Sequence, residues 1–230
     1  MENKKVENTT TNTVVTENIV DQKPTQIVVV LDCSGSMESI AIPTVEGLNS
    51  FIKEQRNAKG DANMTLVQFD HEYRIDYQGK PIKEVKDLIN GETFCPRGST
   101  ALFDAVGKTI NDLNTTDDVI FVIITDGAEN ASKKYDQKKV FGLIEEKKKM
   151  GWNFLFLGAN QDAIEAGAYM GISASNSVNY NANADSVNTL YNNVSAKVST
   201  FRSAKFSGMN QKQYSQSLDF NDTDRLDISK

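Results

Sequence analysis

The hydrophobic pattern of this chain switches repeatedly between two periods. Predominantly apolar runs at 27–31, 119–124 and 152–157 are rich in Val, Ile, Leu and Phe. Short continuous runs of this kind, bounded by turn residues, predict strands buried on both faces. Between them the spacing becomes helical. Val45, Leu48, Phe51 and Ile52 mark a helix over 44–59, with Pro43 near its start. Leu102, Ala105, Val106, Ile110 and Leu113 mark one over 101–113. Val140, Phe141 and Ile144 mark one over 136–150, and Val187, Leu190, Tyr191, Val194, Val198 and Phe201 one over 185–203. Shorter helices are predicted at 82–88 and 162–170. Residues 64–69 and 73–77 alternate, and the brief His71-Glu72 connection predicts a hairpin whose second strand is an antiparallel edge. Val178-Asn179-Tyr180 is a weak last strand.

Strands and helices therefore alternate along the middle of the chain. That order predicts a doubly wound α/β sheet, mostly parallel, with helices on both faces and one antiparallel edge strand. Both ends break the pattern. Residues 1–24 are Asn, Thr, Glu and Lys with scattered Val, and offer too little apolar surface to offset the entropy of ordering; they predict a flexible polar arm. Residues 204–230 turn polar again and predict a tail. Phe206, Met209, Tyr214, Leu218 and Phe220 interrupt it and leave a docking role open.

The first apolar run ends in Asp32-Cys33-Ser34-Gly35-Ser36, a carboxylate and two hydroxyls on alternate residues. Thr100 lies in Arg97-Gly98-Ser99-Thr100, just ahead of a helical pattern, and Asp126 in Thr125-Asp126-Gly127, just after the run at 119–124. Taken alone, an Asp-x-Ser after a strand is an Asx turn or a helix cap. The three pieces in this order, each at a strand end or helix start, resemble the metal-ion-dependent adhesion site (MIDAS) of von Willebrand factor type A (vWA) domains. The resemblance covers roughly 25–203. It implies a Rossmann-like sheet of order 3-2-1-4-5-6, whose switch point lies between the strands that end at Asp32 and Asp126. It also implies a metal site formed by Asp32, Ser34, Ser36, Thr100 and Asp126. The implied ion is Mg²⁺, with Mn²⁺ or Ca²⁺ as alternatives, and the implied partner is a protein that presents Asp or Glu to the metal. Hard cations of this kind take oxygen ligands, which these side chains supply.

Charge and cysteine content narrow the alternatives. The formal net charge of −6 over 230 residues lacks the basic footprint of a nucleic-acid binder. Two cysteines, Cys33 and Cys95, make no disulfide framework; their neighbourhoods in the two metal loops leave their proximity open. No continuous apolar core of a secretory signal and no run of membrane-span length is present, so the expectation is a small cytoplasmic member of bacterial or phage type, with no membrane partner.

Enzymatic readings find little support. There is no G-x-S-x-G and no phosphate-binding G-x-x-x-x-G-K-[ST]. The sole histidine, His71, is expected away from the site, in the hairpin connection, so no catalytic residue is assigned. A metal-dependent phosphohydrolase on a similar sheet remains the rival reading, although the position two after Asp32 is Ser34 rather than a second carboxylate. A non-catalytic subunit of an ATPase- or chelatase-type complex is a third. The lysine-rich stretch 133–149 reads as a solvated helix face, or as a patch that steers an acidic partner.

Overall fold

A computed structural model describes residues 23–113, 115, 118–160 and 162–230. Among these, six strands form one sheet of order β3-β2-β1-β4-β5-β6. They are β1 (Thr25–Asp32), β2 (Ala62–Phe69), β3 (Tyr73–Pro81), β4 (Val119–Thr125), β5 (Asn153–Ala159) and β6 (Ser177–Tyr180). Only β3 runs antiparallel, paired with β2 across the short turn that the hairpin pattern predicts. The described helices are α1 (Ala41–Asn57), α2 (Leu102–Asp112), α3 (Gln137–Lys149), α4 (Ala163–Tyr169), α5 (Ala184–Phe206), α6 (Gln211–Ser215) and α7 (Asp222–Ile228). The predicted arm at 1–24 falls almost wholly outside the described residues.

The sheet separates two apolar layers, and β1 shows why its residues are consecutive apolar ones. Ile27, Val29 and Leu31 face the layer beneath α1 and α5, while Val28 and Val30 face the layer beneath α2 and α3. A strand covered on both faces has no polar side to offer. Helices α1 and α5 pack closely because Gly47 has no side chain: a Cβ there would stand 2.2 Å from the Tyr191 ring.

Three expectations change. The stretch 82–88 forms only a 3-10 turn at Ile82–Glu84 before an extended segment. Ile82, Val85 and Leu88 are nonetheless buried. Their spacing reflects three separate insertions into the core rather than one helix face. Phe141, assigned to the inner side of its helix, is 41% exposed, while Val140 and Ile144 are buried. Leu143 takes the third place on the inward stripe beside Val140 and Ile144, and Phe141 falls outside it, on the exposed side with Lys138 and Lys139.

The third change is the largest. The end of the chain is folded, not a tail. Tyr214, Leu218, Phe220 and Ile228 are buried in the same layer as α1 and α5. Phe201 and Tyr214 meet edge to face at 4.7 Å, and the Tyr214 hydroxyl donates to Asp118 at 2.8 Å. Both short helices start with reciprocal capping boxes, Asn210 with Gln213 and Asn221 with Asp224. Lys197 ties α5 to Asp224 at 2.7 Å. Phe206 and Met209 stay exposed. A few anchors and two caps suffice to order a segment whose overall composition is polar, because α5 supplies the apolar surface opposite them.

Leu218 is fully buried and Leu226, also in this segment, is 61% exposed. Leu218→Ala should therefore lower unfolding stability by about 2–5 kcal/mol. Leu226→Ala should change it by about 0.5 kcal/mol or less. Urea denaturation of both variants checks this; equal midpoints would mean that the segment does not belong to the cooperative core.

Candidate metal centre

Strands β1 and β4 pair in parallel, with Leu31 beside Ile124, so Asp32 and the Thr125-Asp126 step leave the sheet side by side. This is the switch point of the strand order, where α/β sheets open a crevice beyond their carboxyl ends. Asp32 is fully buried there. Its Oδ1 accepts from the Ser34 N–H at 2.7 Å and its Oδ2 from the Thr125 hydroxyl at 2.6 Å. Those bonds orient the carboxylate and turn the loop so that Ser34 and Ser36 lie together, their hydroxyls 3.3 Å apart. The Ser36 hydroxyl in turn donates to Asp126 Oδ1 at 2.5 Å. Ser36 is exposed, so this end of the cluster opens to solvent.

Thr100 reaches the same point from a separate loop. A Cβ built on Gly127 would lie 3.3 Å from the Thr100 hydroxyl and 3.5 Å from that of Ser36. Only a glycine leaves that space clear. Thr100 is clamped on both backbone sides: its N–H donates to Asn130 Oδ1 at 2.9 Å, and its C=O accepts from the N–H groups of Asn130 and Ala131. Gly35 N–H donates to Gly98 C=O at 3.1 Å and joins this loop to the first.

All five residues singled out by sequence are thus brought to one crevice. Others were missed. His71 is not remote: Gly98, with φ +69°, passes so close that a Cβ would stand 2.2 Å from His71 Nδ1. The turn it occupies is bolted to the Thr100 loop. Ala101 N–H donates to Asp70 C=O at 2.9 Å, and Arg97 Nε donates to the Asp70 carboxylate at 3.0 Å. Glu129 holds the loop beyond Asp126, accepting from the N–H groups of Phe103, Ala131 and Ser132. Asn160 closes the far side; its amide donates to Asp126 C=O at 3.3 Å. The signals available for these were weak. Asp70 precedes a short turn and Glu129 sits in a polar loop, and many such residues touch nothing.

Burial pushes the Asp32 carboxyl up to about 6, against the opposing pull of its bonds from Thr125 and Ser34. Asp126 is raised as well, again by burial, with the Ser36 bond acting against it. Asp126 Oδ2 is buried and has no hydrogen-bond partner. Two desolvated carboxylates, one of them with an orphaned oxygen, and three neutral hydroxyls form an oxygen-only donor set that fits a hard divalent cation.

The chain belongs to the von Willebrand factor type A domain family, whose model matches residues 26–196. Several solved structures share the fold. Proximal thread matrix protein 1 from the mussel byssus superposes with a TM-score of 0.57 at 17% identity, covering 76% of this chain and 48% of that one. A form of the same mussel protein, with a TM-score of 0.54 at 16% identity and the same coverages, is described as having a zinc-occupied MIDAS motif. A von Willebrand factor type A protein from Catenulispora acidiphila gives 0.54 at 14% identity, covering 78% and 43%. The pilus adhesin SpaC from Lactobacillus rhamnosus GG, in its open conformation, gives 0.54 at 18% identity, covering 77% and 30%. The chain spans less than half the length of each of these proteins. No significant match to a curated protein was found. Among the described residues no helix is long and apolar enough to cross a membrane.

The raised Asp32 pKa makes stability depend on pH with a definite sign. Between its ordinary value of 3.8 and about 6, the unfolded chain ionises this carboxyl while the folded chain keeps it protonated. Its contribution to stability therefore falls as pH rises through that window and stays low above it. With chelator present, Asp32→Asn should stabilise the protein at pH 7.5 by about 1–3 kcal/mol, because a tenfold change in a protonation equilibrium is worth roughly 1.4 kcal/mol. The gain should vanish near pH 4. Guanidinium denaturation at both pH values checks this, and a variant less stable than wild type at pH 7.5 would show that the bonds to Asp32 outweigh its desolvation.

Proposed function

We propose that this protein is a metal-dependent protein-binding module. Asp32, Ser34, Ser36, Thr100 and Asp126 would hold Mg²⁺, or Mn²⁺ or Ca²⁺ in its place, and a carboxylate of a partner protein would complete the ion's shell. The observation that carries this reading is the buried, unpartnered Asp126 Oδ2 at the edge of a hydroxyl cluster open to solvent through Ser36. A bound divalent ion supplies a positive point with an exchangeable coordination position. With the hydroxyls of Ser34, Ser36 and Thr100 as the direct ligands and the two aspartates acting largely through water or through their bonds to those hydroxyls, the ion keeps net positive character, and a partly dry crevice strengthens its attraction for an anion. Asp32 orients the loop through Ser34 and Thr125, and Asp126 fixes the Ser36 hydroxyl. No proton transfer is required of any residue, and no catalytic role is assigned. The exposed lysines of α3, Lys138 and Lys139 among them, lie on the helix that follows the Asp126 loop and suit the steering of an acidic partner. A cytoplasmic setting belongs to this same reading.

Metal should raise the thermal midpoint, since a ligand specific to the native state stabilises it by about 2.7 kcal/mol at a hundred times its dissociation constant. Asp126→Ala should abolish the rise. Differential scanning fluorimetry with millimolar Mg²⁺ or Mn²⁺ measures both. An unresponsive wild type, or a variant that still responds, contradicts the assignment.

Chelator should release a partner captured in Mg²⁺ while circular dichroism remains native. Ser34→Ala or Thr100→Ala should weaken capture by about tenfold or more, whereas Lys138→Ala should mainly slow association and soften its salt dependence. A complex that survives chelator at full affinity would contradict capture through a metal.

A further inference from the structure

The protein's two cysteines meet where the metal-site loops run side by side. Cys33 lies between Asp32 and Ser34, and Cys95 precedes Thr100 in the other loop. Their segments are joined at three points. The Cys95 N–H faces the Cys33 sulfur as a hydrogen-bond donor, the Arg97 N–H donates to Cys33 C=O at 2.8 Å, and the Gly35 N–H donates to Gly98 C=O at 3.1 Å. Residue numbers rise together along these contacts, so 33–35 and 95–98 lie alongside in the same direction. Phe94 is buried in the same apolar layer as Cys33 and holds the start of the second segment against the first. Both cysteines also line one cavity of about 470 Å³ beside β2, together with Gln68 and Arg97.

A disulfide needs Cα atoms within roughly 4.4–6.8 Å of each other, and it forms without backbone movement only between segments that already touch. These segments touch through the two cysteines themselves. The Cys33 backbone is fixed on both sides, its N–H donating to Phe69 C=O at 2.7 Å and its C=O accepting from Arg97, so side-chain rotation is what remains. Both thiols are free, and they differ in access: Cys95 is exposed and Cys33 is buried. The exposed thiol is the one that meets a reagent from solution, and a second thiol beside it is placed to resolve the adduct.

We propose that Cys33 and Cys95 are a redox pair, which a small-molecule disulfide of the oxidised glutathione class joins in an intramolecular bridge that locks the Ser34–Ser36 loop to the Thr100 loop. The Cys95 thiolate attacks one sulfur of the reagent and expels its other half as a thiolate, which takes up the proton that Cys95 lost. The Cys33 sulfur, losing its own proton, then attacks the Cys95 sulfur and expels the second half as a thiol. Two protein thiols are oxidised, and one small disulfide is reduced to two thiols. Burial of Cys33 makes the second step the slower one. Loops already locked together lose less freedom when an ion joins them, so the bridged chain should respond to metal at lower concentration. That consequence rests on the metal-capture reading above; the bridge itself does not.

The test exposes the full chain, without metal, to oxidised glutathione and follows its intact mass. A glutathione adduct should appear first. It should give way to a species lighter than the reduced chain by two hydrogens, with the Cys33 and Cys95 peptides joined and N-ethylmaleimide excluded. Cys33→Ala should stall at the adduct, and Cys95→Ser should stay unmodified. Should Cys33→Ala fail to fold, the joined peptides of wild type decide the matter alone. A Mg²⁺ titration of the thermal midpoint then compares the two redox states, and half of the full shift should need about threefold less metal in the bridged chain. A wild type that stops at the adduct, or that links two chains through Cys95, overturns the inference. Equal half-points in the two states overturn the coupling of the bridge to the metal. A chain that bridges but shows no response to Mg²⁺ in either state overturns the metal-capture reading and leaves the bridge standing.

Discussion

The upper face of this protein depends on the burial of one carboxylate. Asp32 ends a strand whose five preceding residues, Ile27 to Leu31, are all apolar and buried, and it is itself fully buried. Burying such a group is costly unless its oxygens are hydrogen-bonded, and both oxygens of Asp32 are. One bond comes from the turn it begins, through the Ser34 N–H; the other crosses to the end of β4, through Thr125. Meeting the needs of Asp32 thus places two hydroxyl-bearing loops against each other. Even so, burial outweighs the bonds and keeps the carboxyl at about 6.

The loops around it are held by carboxylates acting on backbone rather than by apolar packing. Asp104 accepts from the N–H groups of Lys133, Lys134 and Tyr135, while Asp70 adds a side-chain grip on the Thr100 loop through the Arg97 guanidinium. Glu129, like Asp104, accepts from a backbone N–H, near the start of α2. Anionic groups are well placed at a helix start, where unpaired N–H groups gather. Hydrogen bonds of this kind fix position without closing the crevice, whereas apolar packing would have filled it. An open, polar, rigid rim is what a docking face requires.

At the amino ends of the central strands β1 and β2 the same physics builds stability instead. Arg202 is buried on α5 and donates to the C=O and Oε1 of Gln55 on α1, at 2.6 and 3.0 Å, and to Gly60 C=O at 2.6 Å. This knot joins α1, α5 and the approach to β2. The C-terminal helices then cover the outer flank of α5. The family match ends at residue 196, within α5, and the C-terminal helices lie beyond it.

The sequence alone determined what depends on neighbours along the chain. Continuous apolar runs could only be strands covered on both faces, and 3.6-residue spacing marked α1, α2, α3 and α5. The strand ends located Asp32 and Asp126, and the family likeness joined them to Ser34, Ser36 and Thr100. Tertiary structure decided which apolar residues found a cover. Ile82, Val85 and Leu88 are buried without being a helix, whereas Phe141 is exposed on one. Tyr214, Leu218 and Phe220 are buried because α5 offers them a surface that no local pattern reveals. His71 met Gly98, and Gln68 kept an unpaired oxygen beside a cavity, only because β2, β3 and the Thr100 loop converge. Periodicity reports what a segment would hide; whether it is hidden, and what is left unmatched when it is, depends on segments distant in the chain.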